Sequence, residues 1–358
     1  LEVDFETAAG EWTTSTVQVS DEKTTLVVPL EERPTQLLID PRSKLLHTLE
    51  MKPNTTMLKR SLRHAPTVPG RLQAVQLLGR HGSVSSIQAL RSAWPDEPFW
   101  GVRIAMARAL GASGSAAAAA ALVEILPIEQ DPRVLESVAE ACGRYRDPEI
   151  AAALLERLGA TPPLPYLARA AALTSLGKQR DEAHIPILEQ ATQDRSWWGW
   201  VRRGAMTGLG STRSKAALQL LEKRVRYGDD SLQVRVLAIL ALAEGGRWQD
   251  DASRTQALEL LSDLCRDPEY SARMAAARGL LILQDSRGLQ ALEQLEASLA
   301  LQDVPRIRRM ARKLRASGED GPPIQSLRKR IEGLTKRVRK LRDRVEVLEA
   351  RDRAEEGG

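Results

Sequence analysis

The chain has 358 residues, of which 42% are hydrophobic and only two are Phe and four Tyr, so it is long enough for about two or three domains with a large core. Its two cysteines are too few for a disulfide framework, which favours a reducing compartment and a cytoplasmic location. No apolar run reaches the roughly 18 residues that a membrane span needs, so we expect no membrane partner. The net charge of +5 is concentrated in residues 306–353, where 17 Lys and Arg face 7 Asp and Glu.

The first fifty or so residues have the pattern of β-strands. "TSTVQVS" (14–20) alternates polar and apolar residues, "TTLVVPL" (24–30) is β-branched and apolar, and "PTQLLIDP" (34–41) is a short apolar run bounded by proline. Such runs, separated by polar turns, predict strands. Because a complete sandwich needs about seven strands, residues 1–53 are predicted to form a partial antiparallel β-sandwich domain.

Residues 54–316 change to helical periodicity and repeat themselves. Seven units each contain a first helix such as "VRIAMARALG" and a second helix of the form "AAxxLLExL". A helical hairpin of this kind cannot bury its apolar stripe alone, so neighbouring units must stack. We therefore predict a mainly α fold, a HEAT-like α-solenoid. The first helices are aligned from residues 70, 102, 134, 167, 201, 234 and 272, at spacings of 32 to 34 residues and a last one of 38.

Glycine follows the apolar stripe of most first helices, which predicts a left-handed C-cap at each of these positions. Asp or Ser often precedes a first helix, as in "DPRVLES", and is predicted to cap its N-terminus. The predicted capping glycines are Gly79, Gly111, Gly143, Gly177 and Gly210.

A linker (317–323), "SGEDGPP", leads to a different pattern in residues 324–351. Apolar residues alternate there at spacings of three and four, with Ile or Val at each a position and Leu at each d position, which favours a parallel two-stranded coiled coil. Arginine dominates the flanking positions, so an acidic partner helix is an alternative to a homodimer, and nucleic acid is a less favoured partner. Residues 352–358 are predicted to be a disordered tail. The predicted seam is Ile324, Leu327, Ile331, Leu334, Val338, Leu341, Val345 and Leu348.

Two sets of residues in the repeats are candidates for binding, and neither set is catalytic. The second position of several first helices is arginine, namely Arg103, Arg202, Arg235, Arg273 and Arg308. These guanidinium groups are interpreted either as a row that binds carboxylates or phosphates, or as an Arg–Asp ladder between repeats. Aromatic residues cluster in "FWG" and "WWGW", and they are interpreted either as a peptide-contacting patch or as packing between hairpins. The aromatic candidates are Trp100, Trp198 and Trp200.

The junction of strands and helices resembles zinc aminopeptidases of the aminopeptidase N family. The likeness lies in "RPxxLLIDP" (33–41), "LLHTLEMKP" (45–53), "LRHAPTVPGRLQA" (62–74) and "FWGVRxAxAxALG" (99–111). The resemblance implies that the chain is a C-terminal region that begins part-way through the β-sandwich. It would shape the substrate chamber of an upstream catalytic domain and meet peptide substrate through it.

The catalytic motifs of that family, HExxH above all, do not occur in this chain. Consequently no catalytic residue, metal ligand or cofactor is assigned here, and zinc is expected only in the upstream domain. The alternative is a freestanding HEAT-repeat scaffold for protein–protein interaction, without peptidase activity.

Overall fold

The computed structural model describes residues 1–30, 32–51, 54–228 and 230–319. They divide into two compact units, the first running from Leu1 to Ser253 and the second beginning at Arg254. The predicted coiled-coil seam from Ile324 to Leu348 and the tail (352–358) lie outside the described residues. Of the predicted linker, 317–319 are the last residues of a helix instead, because the helix-breaking Gly-Pro-Pro of the linker begins only at Gly321.

The first unit opens with an antiparallel sheet of three strands, β1 Glu2–Glu6, β2 Trp12–Thr16 and β3 Gln36–Ile39. The strand order is β2-β1-β3, and Phe5 lies opposite both Thr13 and Leu37. The side chains of Val3, Phe5 and Leu38 are buried. The prediction of antiparallel β-structure before the helices is confirmed.

Two details of the predicted strands are wrong. The central strand β1 was missed, and "TTLVVPL" (24–30) has no regular structure and is mostly exposed. β-Branched residues favour a strand only where a partner strand and a buried face are present, and in this segment the described residues provide no partner strand. The central strand of the sheet is formed instead by "EVDFE" (2–6). Its buried carboxylates accept hydrogen bonds from side chains of β2, β3 and the helix that follows the sheet.

Twelve helices follow in the first unit, and α2, α4, α6, α8, α10 and α12 are the first helices of the repeats. A 3₁₀ turn at Glu182–His184 precedes α9, and another at Trp197–Gly199 precedes α10. The helices are α1 Thr55–His64, α2 Val68–His81, α3 Val84–Ala93, α4 Trp100–Ser113, α5 Ala116–Ile128, α6 Pro132–Cys142, α7 Pro148–Gly159, α8 Tyr166–Gly177, α9 Ile185–Ala191, α10 Trp200–Thr212, α11 Lys215–Arg224 and α12 Leu232–Gly246.

Each first helix packs against the next first helix, and each second helix packs beside its neighbours. Leucine and alanine fill the interface between the two rows, and Leu78, Met106, Leu110 and Leu122 are fully buried. Serine or aspartate caps most second helices. The predicted Asp or Ser cap of the first helices is confirmed at α6, where Asp131 accepts a hydrogen bond from the Arg133 amide at 2.9 Å, and is wrong at α4, α8, α10 and α12, which have no side-chain cap. The repeat pattern therefore forms the predicted stack.

The prediction that these five glycines form left-handed C-caps is wrong. Gly79, Gly111 and Gly210 lie inside their helices, and the left-handed residues that end α2 and α4 are Gly82 and Gly114. A Cβ atom on Gly79 would lie 2.9 Å from the Ala109 Cβ, and one on Gly111 would lie 2.9 Å from the Ala141 Cβ. Gly143 and Gly177 likewise face the next first helix, with φ outside the left-handed region. These glycines allow close approach between first helices, so the physical need is space and not a positive φ.

The second unit contains helices of the same kind. They are α13 Asp251–Leu264, whose first three residues belong to the first unit, α14 Tyr270–Leu283, α15 Leu289–Ser298 and α16 Val304–Glu319. Leu280, Leu292, Ile307 and Leu314 form a buried interior. The unit is thus a further set of packed helical hairpins.

Each unit holds one cysteine of the chain. Cys142 ends α6 and is fully buried, and Cys265 follows α13 and is 3% exposed. Burial raises the pKa of both thiols to about 12. Both are therefore protonated and unreactive in the folded protein.

Candidate functional site

The arginines at the start of the first helices contact carboxylates or backbone carbonyls of neighbouring segments. Arg103 donates to the Glu97 carbonyl at 2.7 Å and lies 3.1 Å from the Glu129 carboxylate, and Arg202 pairs with Asp230. Arg235 is 2% exposed and donates from Nε to the Val225 carbonyl at 2.8 Å.

The same arrangement recurs at arginines that the sequence interpretation did not include. Arg71 of α2 pairs with Glu97 at 2.8 Å, and Arg169 of α8 pairs with Asp194 at 2.8 Å. In each pair the acidic residue lies in the loop that leads to a later first helix. This geometry corresponds to the ladder interpretation, because the guanidinium groups are occupied inside the stack. Arg273 donates to the Asp267 carbonyl, and Arg308 pairs with Glu296.

The tryptophans named from the sequence differ in exposure. Trp100 and Trp200 begin α4 and α10, are half-buried and lie under arginines, with Arg133 and Arg203 each 4.1 Å from the ring centroid below. Trp198 is 61% exposed, and its neighbour Trp197 is 66% exposed. Their rings lie 5.3 Å apart. The first pair therefore contributes to packing, whereas the second pair presents a double indole surface to solvent.

The turn that carries Trp198 is held in a defined conformation. Trp198 and Gly199 both have left-handed backbones, with φ of 54° and 66°. Asp194 accepts from the Ser196 amide at 2.7 Å, and Ser196 Oγ accepts from the Val201 amide at 3.0 Å. A Cβ on Gly199 would lie 2.7 Å from the Val234 Cγ2. The turn packs closely against the next repeat, and the indole rings of Trp197 and Trp198 remain exposed to solvent.

Further exposed aromatic residues lie at equivalent places in neighbouring repeats. Tyr166 begins α8 and is 50% exposed, and Tyr227, in the loop before α12, is 65% exposed. In a stack of helical hairpins, successive first helices run in the same direction, so their N-terminal ends share one side. We call this row the aromatic edge; it consists of Trp100, Tyr166, Trp197, Trp198, Trp200 and Tyr227. The sequence interpretation missed Tyr166 and Tyr227, although their positions just before or at a first helix were a usable signal, whereas Trp197 lies within the "WWGW" cluster that it quoted.

A groove of about 370 Å³ adjoins the aromatic edge and crosses α6, α8, α10 and α12. Trp200 and Leu167 line one part of it, and Glu136 and Lys178 line another. Burial raises the pKa of Glu136, and the negative charge of Glu140 raises it further. Burial also lowers the pKa of Lys178, as does the positive charge of Arg144. The groove therefore combines apolar walls with charges of both signs, which is a surface that can select a partner.

Replacing Glu136 by glutamine is expected to raise the melting temperature at neutral pH. Because the pKa of Glu136 is raised in the folded state, its contribution to stability is present below the ordinary value of 4.5 and is lost as the pH rises. The gain from E136Q should therefore shrink as the pH falls below that value. Thermal unfolding followed by circular dichroism across this range measures the difference. The matched control is E156Q, on the exposed side of α7; an equal gain in both variants contradicts the prediction.

A larger groove of about 820 Å³ lies across α1, α3 and α5, and its cations are engaged. Lys59 donates to Ser85 at 2.7 Å, Arg63 donates to Ser92 at 3.0 Å, and Arg91 pairs with Glu124. These bonds connect neighbouring helices. These three basic side chains of the groove are therefore engaged in contacts within the protein.

Residues 56–141 and 164–243 match the family model for HEAT repeats. Together with the observed stack, this match confirms the predicted HEAT-like α-solenoid fold. No curated protein sequence matches the chain.

Several solved structures are similar in fold. The complex of CpcE and CpcF of phycocyanin lyase from Nostoc sp. PCC7120 is 22% identical with a TM-score of 0.45, over 76% of this chain and 98% of that one. Human deoxyhypusine hydroxylase is 19% identical with a TM-score of 0.33, over 73% and 95%. YibA of E. coli is 17% identical with a TM-score of 0.42, over 73% and 92%.

The predicted kinship with the aminopeptidase N family is wrong. The family model that matches residues 56–141 and 164–243 is that of HEAT repeats and not that of a peptidase. The likeness at 99–111 reflects apolar and small residues that any stacked helix of this kind needs, so it does not identify a family. The upstream catalytic domain, its peptide substrate and its zinc were implied by that resemblance alone and are not carried further.

The described residues contain neither a metal-binding cluster nor a membrane-spanning helix. In that part of the chain, no cluster of three or more His, Cys, Asp or Glu side chains has an arrangement suited to a metal ion. Among the helices of the described ranges, none combines the length and the hydrophobicity that a bilayer crossing requires.

Proposed function

We propose that the chain is a non-catalytic scaffold for protein–protein interaction, and that a partner protein binds along the aromatic edge. The observation that carries the proposal is the exposure of four large aromatic side chains, Trp197, Trp198, Tyr166 and Tyr227, on one side of the repeats. Large exposed apolar patches mark interaction sites. Tryptophan, tyrosine and arginine are also the residues most enriched in binding hot spots.

The backbone at Trp198 supports the same conclusion. A bulky residue with φ of 54° is an outlier, because the left-handed conformation costs about 1–2 kcal/mol for a residue with a Cβ atom. The indole is 61% exposed and gains little packing in return. A conformation that costs stability and exposes an indole is consistent with selection for binding.

The adjoining groove extends the proposed surface. Trp200 and Leu167 connect it to the aromatic edge, and Arg203, stacked on Trp200, provides a cation at the junction. A partner side chain in this groove would be buried next to Glu136 and Lys178. We therefore expect a partner that presents apolar anchors flanked by charged groups.

Photocrosslinking followed by a binding measurement tests the proposal. The full chain carrying p-benzoylphenylalanine in place of Trp198 is expected to form a crosslink in the cells from which it comes, and mass spectrometry identifies the adduct. The same probe in place of Ile128, an apolar residue on α5 that is 57% exposed, is the control and should form none.

The purified partner then allows a quantitative test of the two indoles. W197S combined with W198G should weaken binding by at least about tenfold. The melting temperature should not fall, because glycine relieves the left-handed backbone at 198. Equal crosslinking at both probe positions, or unchanged affinity of the variant, would contradict the proposed function.

A further inference from the structure

A second surface lies at the opposite ends of the same first helices. The loops that follow α6, α8, α10 and α12 each carry an arginine, at spacings of 34, 33 and 34 residues. This is one arginine for each repeat, at the point where the first helix turns into the second. We call this row the arginine edge; it consists of Arg146, Arg180, Arg213 and Arg247.

Side chains tie the loops of neighbouring repeats together. Gln179 Nε2 donates to the Tyr145 carbonyl at 2.9 Å, and the Asp147 amide donates to Gln179 Oε1 at 3.0 Å. Gln249 Nε2 donates to the Arg213 carbonyl at 2.9 Å. The backbones that carry the arginines are therefore fixed relative to one another before any ligand arrives, which lowers the entropy cost of binding.

The backbone at two of these arginines is unusual. Arg180 and Arg213 have left-handed φ values of 61° and 58°. The first two repeats place Gly82 and Gly114 at the corresponding turn, with φ of 59° and 68°. Glycine adopts this conformation without a steric penalty, whereas arginine does not. Two repeats thus carry a long cation where the fold alone favours glycine.

The charges of the arginine edge are poorly balanced. Among the residues that the structure describes, no carboxylate forms an ion pair with Arg146, Arg180 or Arg213. Burial lowers the pKa of Arg213, and the positive charge of Arg180 lowers it further. Burial likewise lowers the pKa of Arg180, with the charge of Arg146 adding to the effect. The guanidinium groups are therefore close enough to repel one another.

Nearby acidic groups are engaged elsewhere. Glu182 accepts from Ser214 at 2.6 Å, Asp147 caps α7, and Asp250 lies 3.6 Å from Lys215. Glu244 opposes the arginine charges, and it accepts from the Trp248 indole at 3.3 Å. The charge of Glu244 therefore acts on both Arg180 and Arg213.

An aromatic ring completes the surface. Trp248 is 47% exposed, and the Arg213 guanidinium lies 3.5 Å from its ring centroid. Arg247 lies 5.2 Å from the same ring. Stacking fixes the plane of a guanidinium and leaves its N–H edge free for an anion.

We propose that the arginine edge binds an acidic polypeptide segment, whose carboxylates pair with the guanidinium groups of Arg146, Arg180 and Arg213. The fork of an arginine matches a carboxylate in a bidentate pair. Successive repeats would engage successive acidic side chains of an extended segment. This site is distinct from the aromatic edge and stands whether or not the aromatic edge binds a partner.

The number of cations favours a short acidic peptide over a nucleic acid. A protein whose affinity for nucleic acid rests on about 6–10 phosphate contacts needs a correspondingly large set of cations, and the arginine edge has four. The carboxylate of Glu244 and the acidic balance outside residues 306–353, with 35 basic and 40 acidic residues, oppose both classes of anion and do not distinguish them.

Hydrogen–deuterium exchange and fluorescence anisotropy on the full chain test the proposal. The probe is a fluorescein-labelled oligoglutamate peptide, with an oligothymidylate of equal net charge as the competing class. The peptide is expected to protect the loops at 178–182 and 211–215. R180G combined with R213G should weaken peptide binding by about tenfold or more, because two charge-assisted pairs are lost. The matched control is R108S combined with R195S, which removes the same charge at two exposed sites and should not change the loop protection.

The glycine variant separates lost binding from lost folding. Since glycine removes the left-handed strain and the like-charge repulsion, its melting temperature should equal or exceed that of the wild type. Absence of protection at both loops, or equal weakening by the control variant, would overturn the proposal. Tighter binding of the oligothymidylate with protection of the same loops would overturn the assignment to an acidic peptide.

Discussion

Replacing Gly177 by alanine is expected to lower the free energy of unfolding of the first unit by about 3 kcal/mol. A Cβ at this position would lie 2.5 Å from the Gly208 carbonyl carbon and 2.6 Å from its Cα. These are backbone atoms of the next first helix and cannot move aside as a side chain could, so α8 and α10 must separate. Intrinsic helix propensity predicts the opposite sign, a gain of about 1 kcal/mol for alanine.

Urea unfolding followed by circular dichroism measures this difference, and Gly159 provides the matched control. Gly159 is the last residue of α7, and a Cβ there would meet no atom within 4 Å. G159A should therefore be neutral or slightly stabilising. A G177A variant as stable as G159A would contradict the close approach of α8 and α10.

Replacing Glu6 by glutamine is expected to loosen the sheet from α1 at a cost of about 2–3 kcal/mol. The carboxylate of Glu6 is buried on β1 and accepts from Arg60 at 2.5 and 2.9 Å and from Gln36 at 2.7 Å. Glutamine keeps the size but loses the charge, and its amide nitrogen cannot accept from Arg60. Hydrogen exchange of the amides in β1 and β3 should become faster. The matched control is E11Q, in the exposed turn between β1 and β2, which should leave these rates unchanged.

The same contact gives the sheet a defined pH dependence. Arg60 lowers the pKa of Glu6 from 4.5 to about 2, against the opposing effect of burial. A lowered pKa contributes stability that is present above 4.5 and is lost as the pH falls through about 2. The amides of β1 should therefore lose protection over this window in the wild type but not in E6Q. Identical profiles in the two proteins would contradict this role of Arg60.

The sequence was sufficient to predict the repeat architecture, because its signal is redundant. An apolar stripe at helical spacing recurs in every unit, and an error at one helix does not shift the others. The strands lacked this redundancy. β1 pairs with β2 across a short turn, as at Thr13, and with β3 on its other side, as at Leu37. The second partner is distant in the chain, and local pattern does not report such pairing.

The role of the glycines could not be read from one sequence. Glycine meets two separate needs, a positive φ and a missing side chain, and both occur here within a few residues, at Gly79 and Gly82. Distinguishing them requires the position of the neighbouring helix. By contrast, the arginine edge had a visible signal in the regular spacing of Arg146, Arg180, Arg213 and Arg247, each just after a glycine-containing helix end.

The burial of the two thiols has a practical consequence. Cys142 belongs to the first unit and Cys265 to the second, and the chain has no other cysteine. An alkylating reagent reaches such a thiol only when the surrounding helices open. The labelling rates of the two cysteines therefore report the opening of each unit separately within one molecule. Unequal rates would mean that one unit opens more readily than the other, and the rate at Cys142 would report on the unit that carries both the aromatic edge and the arginine edge.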